Sequence, residues 1–212
     1  MKNSEISALV QRVKNKMRMS PPSKRWDNSQ NHIIPTCHKR LLILDLDETL
    51  VHSSLIPPKE YDFEVKIPFN DNFCSIFIQK RPYLDHFLST VEEIFDIYFF
   101  TASEPQYSIP VIQVLFPKFP EEKILTKRNC KYFHGVFLKD LSIFRKPLSE
   151  IILLDNTPSS YALQPQNGIP ITTWTGDCND STLLDMTLPL LRYCAISQDV
   201  RSAISSYFLN KY

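Results

Sequence analysis

The chain has 212 residues, of which 43% are hydrophobic and 12% aromatic, enough apolar material for a packed core and too much for a disordered chain. Three glycines (Gly135, Gly168, Gly176) stand against 16 prolines, so neither a GxGxxG dinucleotide loop nor a GxxxxGK[S/T] phosphate loop can be assembled. The net charge of +1 conceals an asymmetry: residues 1–40 carry +7 and the remainder −6. Five scattered cysteines (Cys37, Cys74, Cys130, Cys178, Cys194) with no CxxC pair read as free thiols of a reducing compartment, nucleus or cytoplasm, and not as a disulfide or zinc framework. No apolar run reaches the length of a membrane span and no secretory signal opens the chain.

Residues 1–38 form a basic leader. Ile6, Leu9, Val10, Val13 and Met17 recur at helical spacing among Arg12, Lys14, Lys16 and Arg18 until Pro21-Pro22 ends the pattern. Such a helix suits an anionic surface, a nuclear or other address, or plain packing on the domain that follows. From residue 39 to 212 one domain is expected. Leu41–Leu44 is an apolar run of buried parallel-strand type. Phe63–Ile67 alternates with period two, and Phe73–Gln79 follows across Asn70-Asp71-Asn72, which predicts a hairpin. Pro82 opens a helix with Leu84, Phe87, Leu88 and Val91 on one face. Phe95–Phe100 is a second buried strand, and a helix from about Pro105 to Phe116 carries Pro110, which predicts a kink or a late start. Ile124-Leu125 and Phe133–Leu138 read as extended, Ile151–Leu154 and Ile169–Thr172 as strands, and 180–194 and 198–209 as amphipathic helices. Strands alternating with helices predict an α/β fold: a mainly parallel central sheet flanked by helices, with a small β-hairpin insertion.

In an open α/β sheet the ligand sits beyond the carboxyl ends of the strands. The first strand delivers Asp45-Leu46-Asp47, the second Thr101, and the third Asp155-Asn156, with Lys139 after another extended run. A carboxylate such as Asp45 can attack phosphorus and divide one displacement into two. Asp47, two residues on, is placed to protonate the leaving oxygen and then activate water. So many carboxylates at one edge call for a cation. Mg²⁺ takes oxygen ligands, and Asp45, the backbone carbonyl of Asp47, and Asp155 or Asn156 are the candidates. Lys139 would neutralise a transferring phosphoryl group and Thr101 would donate to it. Without glycine loops, the anion cradle would be the turn after Asp45.

The motifs DLDETLVHSS (45–54), KRPYL (80–84), FFTAS (99–103), LKDLS (138–142), LLDNTP (153–158) and ITTWTGD (171–177) resemble the haloacid dehalogenase superfamily. More narrowly, they resemble its small phosphatases acting on the C-terminal domain of RNA polymerase II. The resemblance covers most of residues 40–195. It implies a Rossmann-like core, Asp45 as nucleophile, Asp47 as acid–base, Thr101 and Lys139 on the phosphate, and Mg²⁺ at Asp155 and Asn156.

From Asp45 to Thr101 there are 56 positions and from Thr101 to Lys139 there are 38, too few for a large cap domain, so a phosphorylated protein or peptide is the expected partner. No direct nucleic-acid contact is expected. The resemblance implies an apolar pocket for a proline beside the phosphoserine, with Leu55, Ile67, Phe69 and Ile76 at the matching positions and Tyr107 beside the site. Ile67 and Ile76 serve equally well to stabilise the hairpin. Glu104 stands where those phosphatases have leucine, and a carboxylate there needs solvent or a basic partner. Their phosphate-facing arginine falls on Lys127, with Arg128 next to it. The expected function is an Mg²⁺-dependent protein serine/threonine phosphatase on the polymerase C-terminal domain or similar Ser-Pro phosphopeptides. The competing readings are a phosphatase of a lipid-metabolism regulator at the nuclear membrane and a non-catalytic binding module of the same fold.

Overall fold

The strand β1 (Leu41–Leu44) is flanked on both sides by parallel partners, so its backbone is fully paired and every one of its side chains is buried. The structure, a computed structural model, describes residues 39–69 and 72–209; the leader helix expected before Pro21 lies outside the described residues. Five strands form the main sheet in the order β10 (Gly168–Pro170), β9 (Ile151–Asp155), β1, β5 (Asp96–Phe100), β6 (Ile124–Leu125), all parallel. Alternation along the strands sorts their residues onto two faces. Leu42, Leu44, Ile97, Phe99, Ile152 and Leu154 pack with the helices α1 (Leu84–Ile94), α2 (Pro105–Leu115), α3 (Leu188–Ile196) and α4 (Val200–Leu209). Leu41, Ile43, Tyr98, Phe100, Ile151 and Leu153 pack instead under short 3-10 turns that supply Leu141, Phe144 and Tyr161.

The insertion after β1 is larger than a hairpin. β3 (Phe63–Phe69) and β4 (Asn72–Lys80) pair as expected, but β2 (Val51–Ser54) joins the other side of β4, giving the order β2-β4-β3. The stretch Phe133–Leu138, expected as one extended run, folds back on itself as β7 (Lys131–Phe133) and β8 (Val136–Leu138). His134 and Gly135 turn it with φ of 45° and 86°, the two left-handed residues of a tight hairpin turn. α2 starts at Pro105 and runs through Pro110 to Leu115, so the late start does not occur. The segment expected as one helix over 180–194 opens as a wide π turn, Leu183–Thr187, before α3. Pro189 has no N–H to offer the Asp185 carbonyl, which accounts for the widened turn. Among the described residues no helix is long and apolar enough to cross a membrane.

Candidate active site

Asp45 is the first residue past β1, and its N–H still bonds the Leu154 carbonyl of β9 at 3.0 Å. That bond holds the side chain beside Asp155, the last residue of β9. Asp45 is 6% exposed, Asp155 0% and Lys139 1%. Lys139 Nζ lies 2.6 Å from Asp45 Oδ1 and 2.6 Å from Asp155 Oδ2, a buried ammonium shared by two carboxylates. Thr49 Oγ1 donates to the other Asp45 oxygen at 2.6 Å and accepts from the Asn156 N–H at 3.2 Å. Thr157 N–H donates to Asp155 Oδ1 at 2.7 Å. Burial pushes the Lys139 ammonium down, but Asp155 and Asp45 more than offset this and hold it above its ordinary range, so it is charged. Burial and then the Asp45 charge push the Asp155 carboxyl up to about 6, against the pull of Lys139.

Asp47 sits across the cleft in a ring of hydroxyls. Ser103 Oγ donates to its Oδ2 at 2.6 Å, Thr101 Oγ1 to the same oxygen at 3.3 Å, and Tyr107 OH to its Oδ1 at 2.7 Å. The turn between the aspartates is tightly fixed. The N–H groups of Thr49, Leu50 and Val51 converge on the Leu46 carbonyl, and Glu48 N–H bonds Val51. This leaves Leu46 and Asp47 as the positions from which the turn can cradle an anion. Glu48 has φ 61°, a left-handed conformation that a side-chain-bearing residue rarely adopts. Its carbonyl accepts from Trp174 N–H at 2.8 Å and its carboxylate meets His52 Nδ1 at 2.8 Å.

A buried guanidinium ties the loops around the nucleophile together. Arg81 Nε and Nη2 grip Asp180 at 2.8 Å each, Nη1 donates to the carbonyls of Thr49 (3.1 Å) and Thr172 (3.0 Å), and Nη2 also reaches Thr172 Oγ1 at 2.9 Å. Beside Thr172, Thr173 Oγ1 accepts from Asn156 Nδ2 at 3.1 Å. Arg81 therefore positions both the threonine on Asp45 and the loop on Asn156. Asp45, Asp47, Thr101, Lys139, Asp155 and Asn156 all line one cleft of about 420 Å³.

Other expected site residues are placed differently. Tyr107 is buried and bonds Asp47 itself. Burial and then the Asp47 charge push its phenol well above the ordinary range, so it remains a donor. Lys127 is buried and pairs with Glu104 at 3.0 Å, which supplies the basic partner that Glu104 requires. Arg128 is exposed and does not line the cleft. Ile67 and Ile76 are buried in the main core, where α2 packs against β3, while Leu55 and Phe69 are half-buried. Thr49, Ser103 and Arg81 were not singled out from the sequence as site residues. Thr49 and Ser103 sit inside the motifs DLDET and FFTAS, but only the fold reveals which carboxylate each one serves.

The family model described as NLI interacting factor-like phosphatase matches residues 40–201. The chain belongs to the NLI interacting factor-like phosphatase family. It is 40% identical over 156 residues to CTD small phosphatase-like protein 1 of Caenorhabditis elegans, covering 74% of this chain and 32% of that protein. It is 40% identical over 153 residues to Phosphatase PSR1 of Saccharomyces cerevisiae, covering 72% and 36%. To the human CTD small phosphatase-like protein it is 35% identical over 166 residues, covering 78% and 60%. The chain thus spans from about a third to three fifths of the length of these relatives. Among solved structures, the fission yeast RNA polymerase II CTD phosphatase Fcp1 bound to beryllium fluoride matches with TM-score 0.55 at 18% identity, over 64% of this chain and 42% of that one. That likeness shows the fold.

For this family member the donor set at the strand ends fits Mg²⁺. Asp45, Asp155 and Asn156 line one cleft and offer it hard oxygen donors. Among the described residues no cluster of three His, Cys, Asp or Glu side chains converges to hold a metal.

Proposed function

We propose that the chain is an Mg²⁺-dependent phosphoprotein phosphatase that works through an aspartyl phosphate on Asp45. The observation that carries this reading is the pairing, in one cleft, of a buried Asp45–Lys139–Asp155 triad with a hydroxyl-ringed Asp47. Asp45 attacks the phosphorus of a phosphoserine or phosphothreonine; its oxygen bonds to phosphorus as the ester bond to the side-chain oxygen breaks. Asp47 gives the departing alkoxide a proton. It then takes a proton from water as that water attacks the acyl phosphate, releasing phosphate and restoring Asp45. Lys139 balances the phosphoryl charge while it orients Asp45, and the Thr101 hydroxyl exchanges its long bond to Asp47 for a phosphoryl oxygen. Thr49 fixes the Asp45 rotamer. Asp45, Asp155, Asn156 and the Asp47 carbonyl would hold Mg²⁺, which supplies Lewis-acid neutralisation of the phosphoryl group.

The small insertion around β2-β4-β3 leaves the cleft accessible to a side chain on another protein. The polymerase C-terminal domain, or a similar Ser-Pro phosphopeptide, fits this; a human small phosphatase and fission yeast Fcp1 carry the polymerase domain in their names. The four described cysteines are free, which supports a reducing compartment, nucleus or cytoplasm. The test is hydrolysis of an aryl phosphate by wild type and Asp45→Asn, with Mg²⁺ and with chelator. Loss of turnover on either change is expected. Turnover that survives both overturns the aspartyl-phosphate reading, and a wild type without turnover favours a binding module.

A further inference from the structure

His52 and Trp174, which have no part in the steps above, both hold the residue that follows Asp47. His52 Nδ1 lies 2.8 Å from Glu48 Oε2, and because a carboxylate oxygen accepts, Nδ1 is the donor. Trp174 N–H donates to the Glu48 carbonyl at 2.8 Å, and its indole Nε1 is pinned by the Asp177 carbonyl at 2.8 Å. The two rings meet edge to face, 6.5 Å between centres. Glu48 N–H donates to the Val51 carbonyl at 2.8 Å. Amide, carbonyl and carboxylate of Glu48 are therefore all engaged, at a residue whose φ is 61°. Glycine would adopt that conformation freely, whereas a side chain there is strained. The strain is borne by a side chain with a task, its bond to His52. His52 in turn is mounted on β2, opposite Gln79 of β4, so the three-stranded insertion gives the bond a rigid base.

We infer that Glu48 and His52, backed by Trp174, are positioning residues that aim Asp47 at the leaving oxygen. This rests on the phosphoprotein phosphatase reading above. The φ of Glu48 is the torsion that follows the Asp47–Glu48 peptide, so fixing it fixes the backbone from which the Asp47 side chain springs. Ser103 and Tyr107 hold the carboxylate at the far end of that side chain. Asp47 is thus held at both ends, by hydroxyls at its tip and by the Glu48–His52 brace at its root. A general acid works only within hydrogen-bond reach of the oxygen it protonates, and a small displacement costs much of its effect. The need for that proton depends on the leaving group. A serine alkoxide is strongly basic and needs it; a nitrophenolate hardly does. Loss of the brace should therefore be selective, large for a phosphoserine ester and small for a nitrophenyl ester.

The test compares kcat/KM of the full chain on a phosphoserine peptide and on p-nitrophenyl phosphate, since kcat/KM reports the step in which the leaving group departs. Glu48→Gly removes the carboxylate at a φ that glycine accepts, so the fold should survive, as thermal unfolding will show. His52→Phe keeps a ring against Trp174 but has no donor, and it decides alone if Glu48→Gly does not fold. Glu48→Gln keeps an oxygen that can accept from Nδ1. The ratio of peptide to nitrophenyl kcat/KM should fall about 10-fold or more in Glu48→Gly and in His52→Phe. Joining the two should lower it no further, because both break one contact. Glu48→Gln should bring the ratio back to within about threefold of wild type. Equal losses on the two substrates, an unchanged ratio, or a Glu48→Gln as poor as Glu48→Gly overturns the inference and leaves the phosphatase reading intact. A wild type inactive on both substrates overturns that reading and this inference with it.

Discussion

Replacing Lys139 by methionine preserves side-chain length and removes the one charge that sits between two buried carboxylates. Asp45 Oδ1 and Asp155 Oδ2 each lose a 2.6 Å partner at a point where neither residue is open to solvent. Breaking a buried ion pair by removing one member destabilises by about 3–5 kcal/mol, because the surviving charge is left uncompensated. For a domain of this size each kcal/mol lowers the melting temperature by about 2–4 °C, so a fall of roughly 6–20 °C is expected at pH 7. The pH dependence has a definite sign. In wild type the folded Asp155 carboxyl titrates at about 6, above its unfolded value of 3.8. Its contribution to stability is therefore fullest below 3.8 and is lost as pH rises through about 6. Without Lys139 the pair holds its proton more tightly still, so this window extends upward and the deficit of Lys139→Met shrinks as pH falls from 7 to 5. The assay is urea or thermal unfolding between pH 5 and 8 in chelator, since Mg²⁺ would replace the missing charge. Adding Asp155→Asn should restore part of the stability. A Lys139→Met chain as stable as wild type at pH 7, or a double variant no more stable than the single one, would refute the argument.

Three further substitutions probe the frame. Arg81→Lys exchanges a five-donor fork for a point charge and frees the Thr49 and Thr172 carbonyls; a loss of about 3 kcal/mol in urea unfolding is expected, together with a lower kcat. Tyr107→Phe removes one donor from Asp47, and kcat on an aryl phosphate should fall about 3- to 10-fold with KM within about twofold; a change confined to KM would make Tyr107 a substrate contact instead. Gly168→Ala places a Cβ 2.3 Å from the Tyr161 ring, and thermal unfolding should show a loss of about 1–3 kcal/mol from overpacking.

The elements most legible in the sequence were those whose signal is local. An unbroken apolar tetrad followed by Asp marks β1 and β9, and the aspartate then stands at the strand's carboxyl end because the run stops there. The period-two pattern of β3 and β4 was equally clear. β2 was not, because His52, Ser53 and Ser54 carry no apolar signal; the strand exists because β4 offers it an edge and because the turn at Glu48 delivers it there. The hairpin at His134 was hidden for a related reason, since Phe133 to Leu138 lacks the Asn-Gly or Asp-Gly signal that usually marks so tight a turn. In the site, residue types at strand ends supplied the list of carboxylates, the threonine and the lysine. They could not supply the partners. Ser103 and Tyr107 reach Asp47 from the end of β5 and the first turn of α2, and Arg81 joins loops 91 and 99 residues apart in sequence. Contacts that depend on tertiary closure leave no periodicity to read.

The central claim, a covalent phosphoryl group on Asp45, is tested most directly in Asp47→Asn. An aryl phosphate with a good leaving group needs little help from an acid in the first step, whereas hydrolysis of the acyl phosphate still needs the missing base. Acid-quenched Asp47→Asn, digested and weighed by mass spectrometry, should carry one phosphoryl group on the peptide containing Asp45, and the same treatment of Asp45→Asn should leave that peptide unmodified. Aryl phosphate turnover with no phosphoryl group on Asp45, or with the group on another side chain, would contradict the account.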